Sequence, residues 1–243
     1  MEGPLTEARW TAERSGDPAA PVICVFIHGG FWRARFAADS IAPLAAACAG
    51  ADFQPWVWNI EYPRVAMPGG GWPGTARSVG GAVAAAVRAA AGRPVALIGH
   101  SAGGHLALWA AREHPVALTV SLAGVCDLRA AARDRLGNGA VAEFLGREPT
   151  ADLLAAASPA ARLPLGVPAL LIHGDADDNV PIDQSRSFRA AATAAGDDCE
   201  LVELPDGDHF DVIDPEGRAW PVLRARLERL AGGGDGGARR QGR

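Results

Sequence analysis

The chain has 243 residues, 49% of them apolar, and a formal net charge of −5. That length suits one globular domain with a sizeable core, and an acidic chain without a recurring basic face argues against nucleic acid as a partner. All 23 basic residues are arginine, so a phosphate-loop lysine and a lysine Schiff base are both excluded.

No apolar run approaches the length of a membrane span, and the stretch 1–5 lacks the basic start and apolar core of a signal peptide. A cytoplasmic protein with no membrane partner is expected. Cys24, Cys48, Cys126 and Cys199 are scattered without a Cys-x-x-Cys pair, which predicts buried free thiols rather than a zinc site or a disulfide framework.

In chain order, 1–20 is a polar segment with an edge strand expected over 5–10. The β-branched and aromatic run 22–27 predicts a strand buried on both faces, ending in His28-Gly29-Gly30-Phe31-Trp32. A helix is expected over 37–49, with Asp39 and Ser40 as candidate caps, then a strand over 53–62. The glycine- and proline-rich loop 67–74 precedes a helix over 75–91. A strand over 95–98 runs into Gly99-His100-Ser101-Ala102-Gly103, after which an alanine-rich helix begins at once. A strand follows over 117–123. Residues 127–165 are helical and irregular, and read as a small insertion or partial lid. A strand over 169–173, a helix over 182–195, a strand over 200–204 and an amphipathic helix over 215–231 complete a domain spanning 21–231. The glycine-rich tail 232–243 is expected to be disordered. Alternating strands and helices imply right-handed crossovers and an α/β fold: a mostly parallel central sheet with helices on both faces.

Gly99 to Gly103 has the Gly-x-Ser-x-Gly spacing of a nucleophile elbow, in the strand–turn–helix context that it requires. Glycines keep the backbone beside Ser101 clear. The following helix aims free N–H groups and its positive end at the place where an oxyanion would form. Glycines after His28 would bring a second N–H, from Gly30 or Phe31, to join that of Ala102 in an oxyanion hole. His28 itself reads as a residue that braces this loop.

Two further loops follow strands. In His173-Gly174-Asp175-Ala176-Asp177-Asp178-Asn179, three aspartates compete for the role of an acid that orients a histidine. In Pro205-Asp206-Gly207-Asp208-His209-Phe210, His209 lies downstream of both serine and acid. The order Ser, Asp, His is that of the α/β-hydrolase fold.

On these motifs the chain resembles an α/β-hydrolase over about residues 20–230. Its His28 to Trp32 start and its 99–106 elbow resemble those of kynurenine formamidases and small carboxylesterases. The 173–181 segment is similar to the prolyl oligopeptidase family, in which the acid is the third residue after His-Gly. The resemblance therefore implies Asp177 as the acid, ahead of Asp178 and then Asp175, and His209 as the general base. Two departures stand out: Phe31 replaces a third glycine of the hormone-sensitive-lipase-like esterases, and Gly207 stands two rather than three residues before His209. The chain also leaves no room for the propeller of the oligopeptidases.

The expected chemistry is acyl transfer from a small ester or amide, with an aryl formamide such as N-formylkynurenine among the candidates, and with no metal or organic cofactor. His100, His105 and His114 read as structural. Trp32, Trp72 and Phe210, beside the proposed loops, are the candidate substrate pocket. Arg129, Arg133 and Arg135 could meet a substrate carboxylate or be solvated helix charges. A non-catalytic binding protein on the same scaffold is the alternative class, and a peptidase-like hydrolase a further one.

Overall fold

The short apolar runs become strands in the computed structural model, which describes residues 10–233. The strands are β1 (Thr11–Ser15), β2 (Ile23–Ile27), β3 (Trp56–Glu61), β4 (Val95–His100), β5 (Leu118–Leu122), β6 (Ala169–Gly174) and β7 (Cys199–Leu204). The helices are α1 (Ala42–Ala49), α2 (Gly74–Ala90), α3 (Ala102–Glu113), α4 (Leu128–Arg133), α5 (Leu136–Leu145), α6 (Ala151–Ala157), α7 (Asp183–Ala194) and α8 (Ala219–Ala231). One sheet runs in the order β1-β3-β2-β4-β5-β6-β7. It is parallel except for β1, which pairs antiparallel with β3. The expected mostly parallel sheet with helices on both faces is present.

The period of two along a strand assigns the layers. Ile23, Val25 and Ile27 of β2 and Leu97 of β4 pack with α2 and α3. Cys24, Phe26, Ala96 and Ile98 face the other way, against α1 and α8. On β6, Ala169 and Leu171 meet Phe188 and Ala192 of α7. Central strands buried on both sides are mostly apolar, which is why β2 and the start of β4 read as unbroken runs, whereas β5 buries Thr119 and Ser121 among its apolar residues.

Some expectations are corrected, and others fall outside the described residues. Most of the edge strand expected over 5–10 lies outside the described residues, and the observed edge strand is Thr11–Ser15. Asp39 and Ser40 form a 3-10 turn and do not cap α1, whose N-cap is Ile41 with no side-chain bond. The last helix starts at Ala219, because the Gly217 N–H closes a turn on the Asp214 carbonyl at 3.1 Å. Nearly all of the tail 232–243 lies outside the described residues. Of the free thiols, Cys24, Cys48 and Cys126 are buried and Cys199 is half-buried. Among the described residues no helix is long and apolar enough to cross a membrane.

The fold carries two buried histidines that make it acid-sensitive. Burial holds His100 down to about 3 and His105 down to about 4. An unfolded imidazole takes up its proton near pH 6.5, so between about pH 6.5 and 4 the unfolded chain binds more protons than the folded one. Stability is therefore full above pH 6.5 and falls as the pH drops through that window, by roughly 1 kcal/mol per pH unit for each histidine. Urea midpoints measured at pH 7.0 and pH 5.0 are expected to show this fall, and equal midpoints would contradict it.

Candidate active site

Ser101 sits between the end of β4 and the start of α3, at φ 54° and ψ −119°. No ordinary L-residue conformation lies there, and such strain costs about 1–3 kcal/mol. Backbone bonds hold it in place: the Ser101 N–H donates to Leu122 O at 2.8 Å, and its carbonyl accepts from His105 at 3.2 Å and Val125 at 3.3 Å. The glycines around it are required by space. A Cβ on Gly99 would stand 2.1 Å from Gly103 O, and one on Gly103 would stand 2.0 Å from Ile27 O. Gly103→Ala must push α3 off the end of β2, an overpacking expected to cost about 1–3 kcal/mol. A clear drop in thermal midpoint would register it; an unchanged one would mean that the helix has slack the packing does not show.

The loop after β2 lies directly against the serine. A Cβ on Gly29 would come within 2.9 Å of the Ser101 Cβ, and Gly30 takes φ +102° with the Phe36 side chain packed where its Cβ would be. Phe31 and Trp32 follow with positive φ of 49° and 59°. Among the described residues, no backbone hydrogen bond uses the N–H of Gly30 or Phe31. Ala102 opens α3, so its N–H is one of the donors a helix leaves unpaired. Gly29, Gly30 and Phe31 line a cavity of about 150 Å³ together with Ser101 and His209.

The acid and histidine loops come from the neighbouring strands β6 and β7. The His209 Nδ1–H donates to Asp177 Oδ2 at 2.7 Å, which leaves Nε2 as the proton acceptor of the ring. Asp177 is buried and fully engaged. Its Oδ1 accepts from the N–H groups of Asn179 and Val180, each at 2.8 Å, and its Oδ2 also lies 3.2 Å from His173 Nε2. Burial pushes the Asp177 carboxyl up, but the hydrogen bonds from His173 and His209 outweigh it and hold the group well below the usual carboxylate range. It stays ionised, as an orienting acid must.

The structure separates the three aspartates by what each touches. Asp177 reaches His209, whereas the exposed Asp175 accepts from the Asp206 N–H at 2.6 Å and so ties the acid loop to the histidine loop. Asp178 is exposed. Asp208 Oδ1 accepts from the N–H groups of Phe210 and Asp211, at 2.7 and 3.0 Å, and shapes the turn that presents His209. From behind, the His100 Nε2–H donates to the His209 carbonyl at 3.0 Å. Expected only as a structural residue, His100 also lines the cavity.

A second layer, not foreseen from the sequence, fixes the loop after β2. The ring of His28 stacks on Tyr62 with centroids 4.2 Å apart, and its Nε2 lies 3.0 Å from Glu61 Oε1. The Tyr62 hydroxyl donates to the His28 carbonyl at 2.7 Å. Glu61 accepts in addition from Arg64 at 2.8 Å and from the Ala38 N–H at 3.1 Å. Burial pushes the Glu61 carboxyl up, and these partners, His28 first, outweigh it and bring it to about 2. Glu61 and Tyr62 could have been found by register: β2 pairs with β3 with Ile27 opposite Ile60, which puts His28 beside Glu61.

The aromatic expectations are corrected in part. Phe210 lies on the lip of the cavity, 59% exposed. Trp32 and Trp72 are not part of that lining. Trp32 is fully buried, stacked on Phe144 at 4.5 Å and edge-on to His105 at 5.2 Å. Trp72 packs edge-on against Trp109 at 5.5 Å and Phe144 at 6.1 Å. Helix α5 of the 127–165 segment brings Phe144 down on both tryptophans and turns them into core anchors. The same segment is clamped to the loop by Arg33, which donates to both carboxylate oxygens of Glu143, at 2.7 and 2.8 Å, and to Gly137 O at 2.6 Å. Arg129, Arg133 and Arg135 line grooves away from the cavity, and Arg133 pairs with Asp134. Among the described residues no group of three or more His, Cys, Asp or Glu could hold a metal ion.

Comparison with known proteins agrees with the fold. Among solved structures, a bifunctional GH43-CE protein of Bacteroides eggerthii matches with a TM-score of 0.71 and 21% identity, over 91% of this chain and 33% of that one. The thermophilic esterase Est2 of Thermogutta terrifontis matches with a TM-score of 0.70 and 21% identity, over 96% of this chain and 97% of that one. A curated relative, the 5-methylorsellinic acid synthase of Aspergillus terreus, is 40% identical over 88 residues, which is 34% of this chain and only 3% of that protein. Residues 81–225, which carry Ser101, Asp177 and His209, match the prolyl oligopeptidase family. The chain is thus a hydrolase with the α/β-hydrolase fold, and it belongs to the prolyl oligopeptidase family.

Proposed function

We propose that the protein is a serine hydrolase of small esters, working through an acyl-enzyme. The observation that carries this reading is the 2.7 Å bond between Asp177 and His209, made at a cavity that His209 and Ser101 line together. His209 Nε2 takes the Ser101 proton as Oγ attacks the substrate carbonyl. The N–H groups of Ala102 and of Gly30 or Phe31 hold the oxyanion. His209 then protonates the leaving group, and water admitted to the cavity hydrolyses the acyl-enzyme with His209 as base.

A cavity of about 150 Å³ lies below the roughly 300–1,000 Å³ of drug-sized ligand sites, which supports small substrates. Est2 of Thermogutta terrifontis, which shares the fold, is an esterase seen with propionate bound, and this supports the ester reading. The segment 127–165, clamped through Arg33 to Glu143 and Gly137 O, braces the loop after β2 and adds no residue to the cavity lining. An aryl formamide is the finer reading, because Phe31, Phe36 and Phe210 line the cavity and suit an aromatic leaving group.

The test compares turnover of a short-chain nitrophenyl ester and of N-formylkynurenine, each against Ser101→Ala protein. Ser101-dependent hydrolysis of the ester is expected, and efficient hydrolysis of the formamide would carry the finer reading. Silence on both would leave a binding protein on a hydrolase scaffold.

A further inference from the structure

We propose that Arg35 binds an anionic group on the substrate, so that the esters this site prefers carry a carboxylate. The proposal rests on the hydrolase reading for the location of the substrate and adds its charge. Of the residues lining the cavity, Arg35 is the one with a permanent charge, and no Asp or Glu is among them.

Its neighbours in the fold are all engaged. Arg33 is absorbed by Glu143 and Gly137 O. Arg64 is absorbed by Glu61 and Phe36 O. Arg35 has no carboxylate partner among the described residues. Its guanidinium lies 4.6 Å from the centroid of the Phe36 ring, a contact that holds the cation at the cavity. Around it the walls are Phe31, Phe36, Phe210 and Ile213. Low-dielectric walls focus the field of a single charge, and a planar guanidinium takes a carboxylate through two parallel N–H bonds. In a chain of net charge −5, an uncompensated cation beside Ser101 selects for substrates that bring the missing negative charge.

The test uses pairs in which one carboxyl is free or methylated: 4-nitrophenyl hemiglutarate against its methyl ester, and 4-acetoxybenzoate against methyl 4-acetoxybenzoate, each ratio taken relative to the pair's ratio in alkaline hydrolysis. The first pair places the anion on the acyl side, the second on the leaving group. In at least one pair, kcat/KM is expected to favour the anion by about five- to tenfold, a value discounted for exposure of the arginine. In Arg35→Gln the ratio should fall to about one, Arg35→Lys should restore part of it, and 1 M salt should shrink it. Arg88→Gln, on the exposed end of α2, is the control for the overall field.

Hydrolysis of both members of both pairs without an anionic preference, or a preference that survives in Arg35→Gln, overturns the proposal and leaves the hydrolase reading standing. Calorimetric titration of Ser101→Ala protein with 4-acetoxybenzoate separates the two readings. Binding lost in the Ser101→Ala, Arg35→Gln double variant, with no ester turned over by the native protein, would keep Arg35 as an anion site and overturn the hydrolase.

Discussion

Ser101→Ala is expected to lower kcat by about 10⁴- to 10⁶-fold and to leave the fold in place. At the transition state that corresponds to roughly 5–8 kcal/mol. The whole loss comes from one atom, because the variant keeps the backbone N–H groups of Gly30, Phe31 and Ala102, the proposed oxyanion donors. The residual rate measures what those donors supply alone. Stability should barely move. Ser101 is held at φ 54° by backbone bonds to Leu122, His105 and Val125, none of which uses the hydroxyl. Burst-phase kinetics and a thermal melt on the same preparation check both halves. A variant that still turns over substrate at the native rate would place the nucleophile elsewhere.

Asp177→Asn is expected to cost about 10⁴-fold in kcat, the scale seen when an orienting carboxylate becomes an amide. The isosteric amide turns an N–H toward His209 Nδ1, so the imidazole must accept there and carry its proton on Nε2. It then faces Ser101 with a donor where an acceptor is needed. The same amide meets the Nε2–H of His173, which lies 3.2 Å from Asp177 Oδ2, and a mismatched buried pair costs about 1–3 kcal/mol of stability. Activity should therefore fall far more than stability. Asp178→Asn, on an exposed side chain, should stay within about 0.5 kcal/mol of native stability and keep most of its turnover. The opposite ranking would move the acid one residue along.

The elbow was readable because its requirement is local. A buried strand, two glycines flanking x-Ser-x and an immediate helix leave little else for the backbone to do, and the observed approach of Gly99 to Gly103 shows why. The acid could be narrowed to three aspartates by pattern and to Asp177 by resemblance. Which carboxylate turns inward depends on how the loops after β6 and β7 meet, where a Cβ on Gly174 would stand 2.1 Å from Gly207 O. Trp32 and Trp72 were misread because an aromatic residue beside a catalytic loop has the same sequence signature whether it lines the cavity or anchors an insertion. Only the descent of Phe144 decided between them. Arg35 belongs to no motif, and its solitude follows from the partners that Arg33 and Arg64 find elsewhere.

The three side chains proposed to react hang from strands of unequal security. Ser101 follows β4, which has a paired strand on each side, while His209 follows β7, the last strand of the sheet and half-open to solvent along its length. Edge strands open at lower free energy than central ones. On warming, the histidine arm therefore loosens before the nucleophile does, and the protein stops working while its core is still folded. The working temperature of such a catalyst is set by its rim, and its melting temperature by its middle.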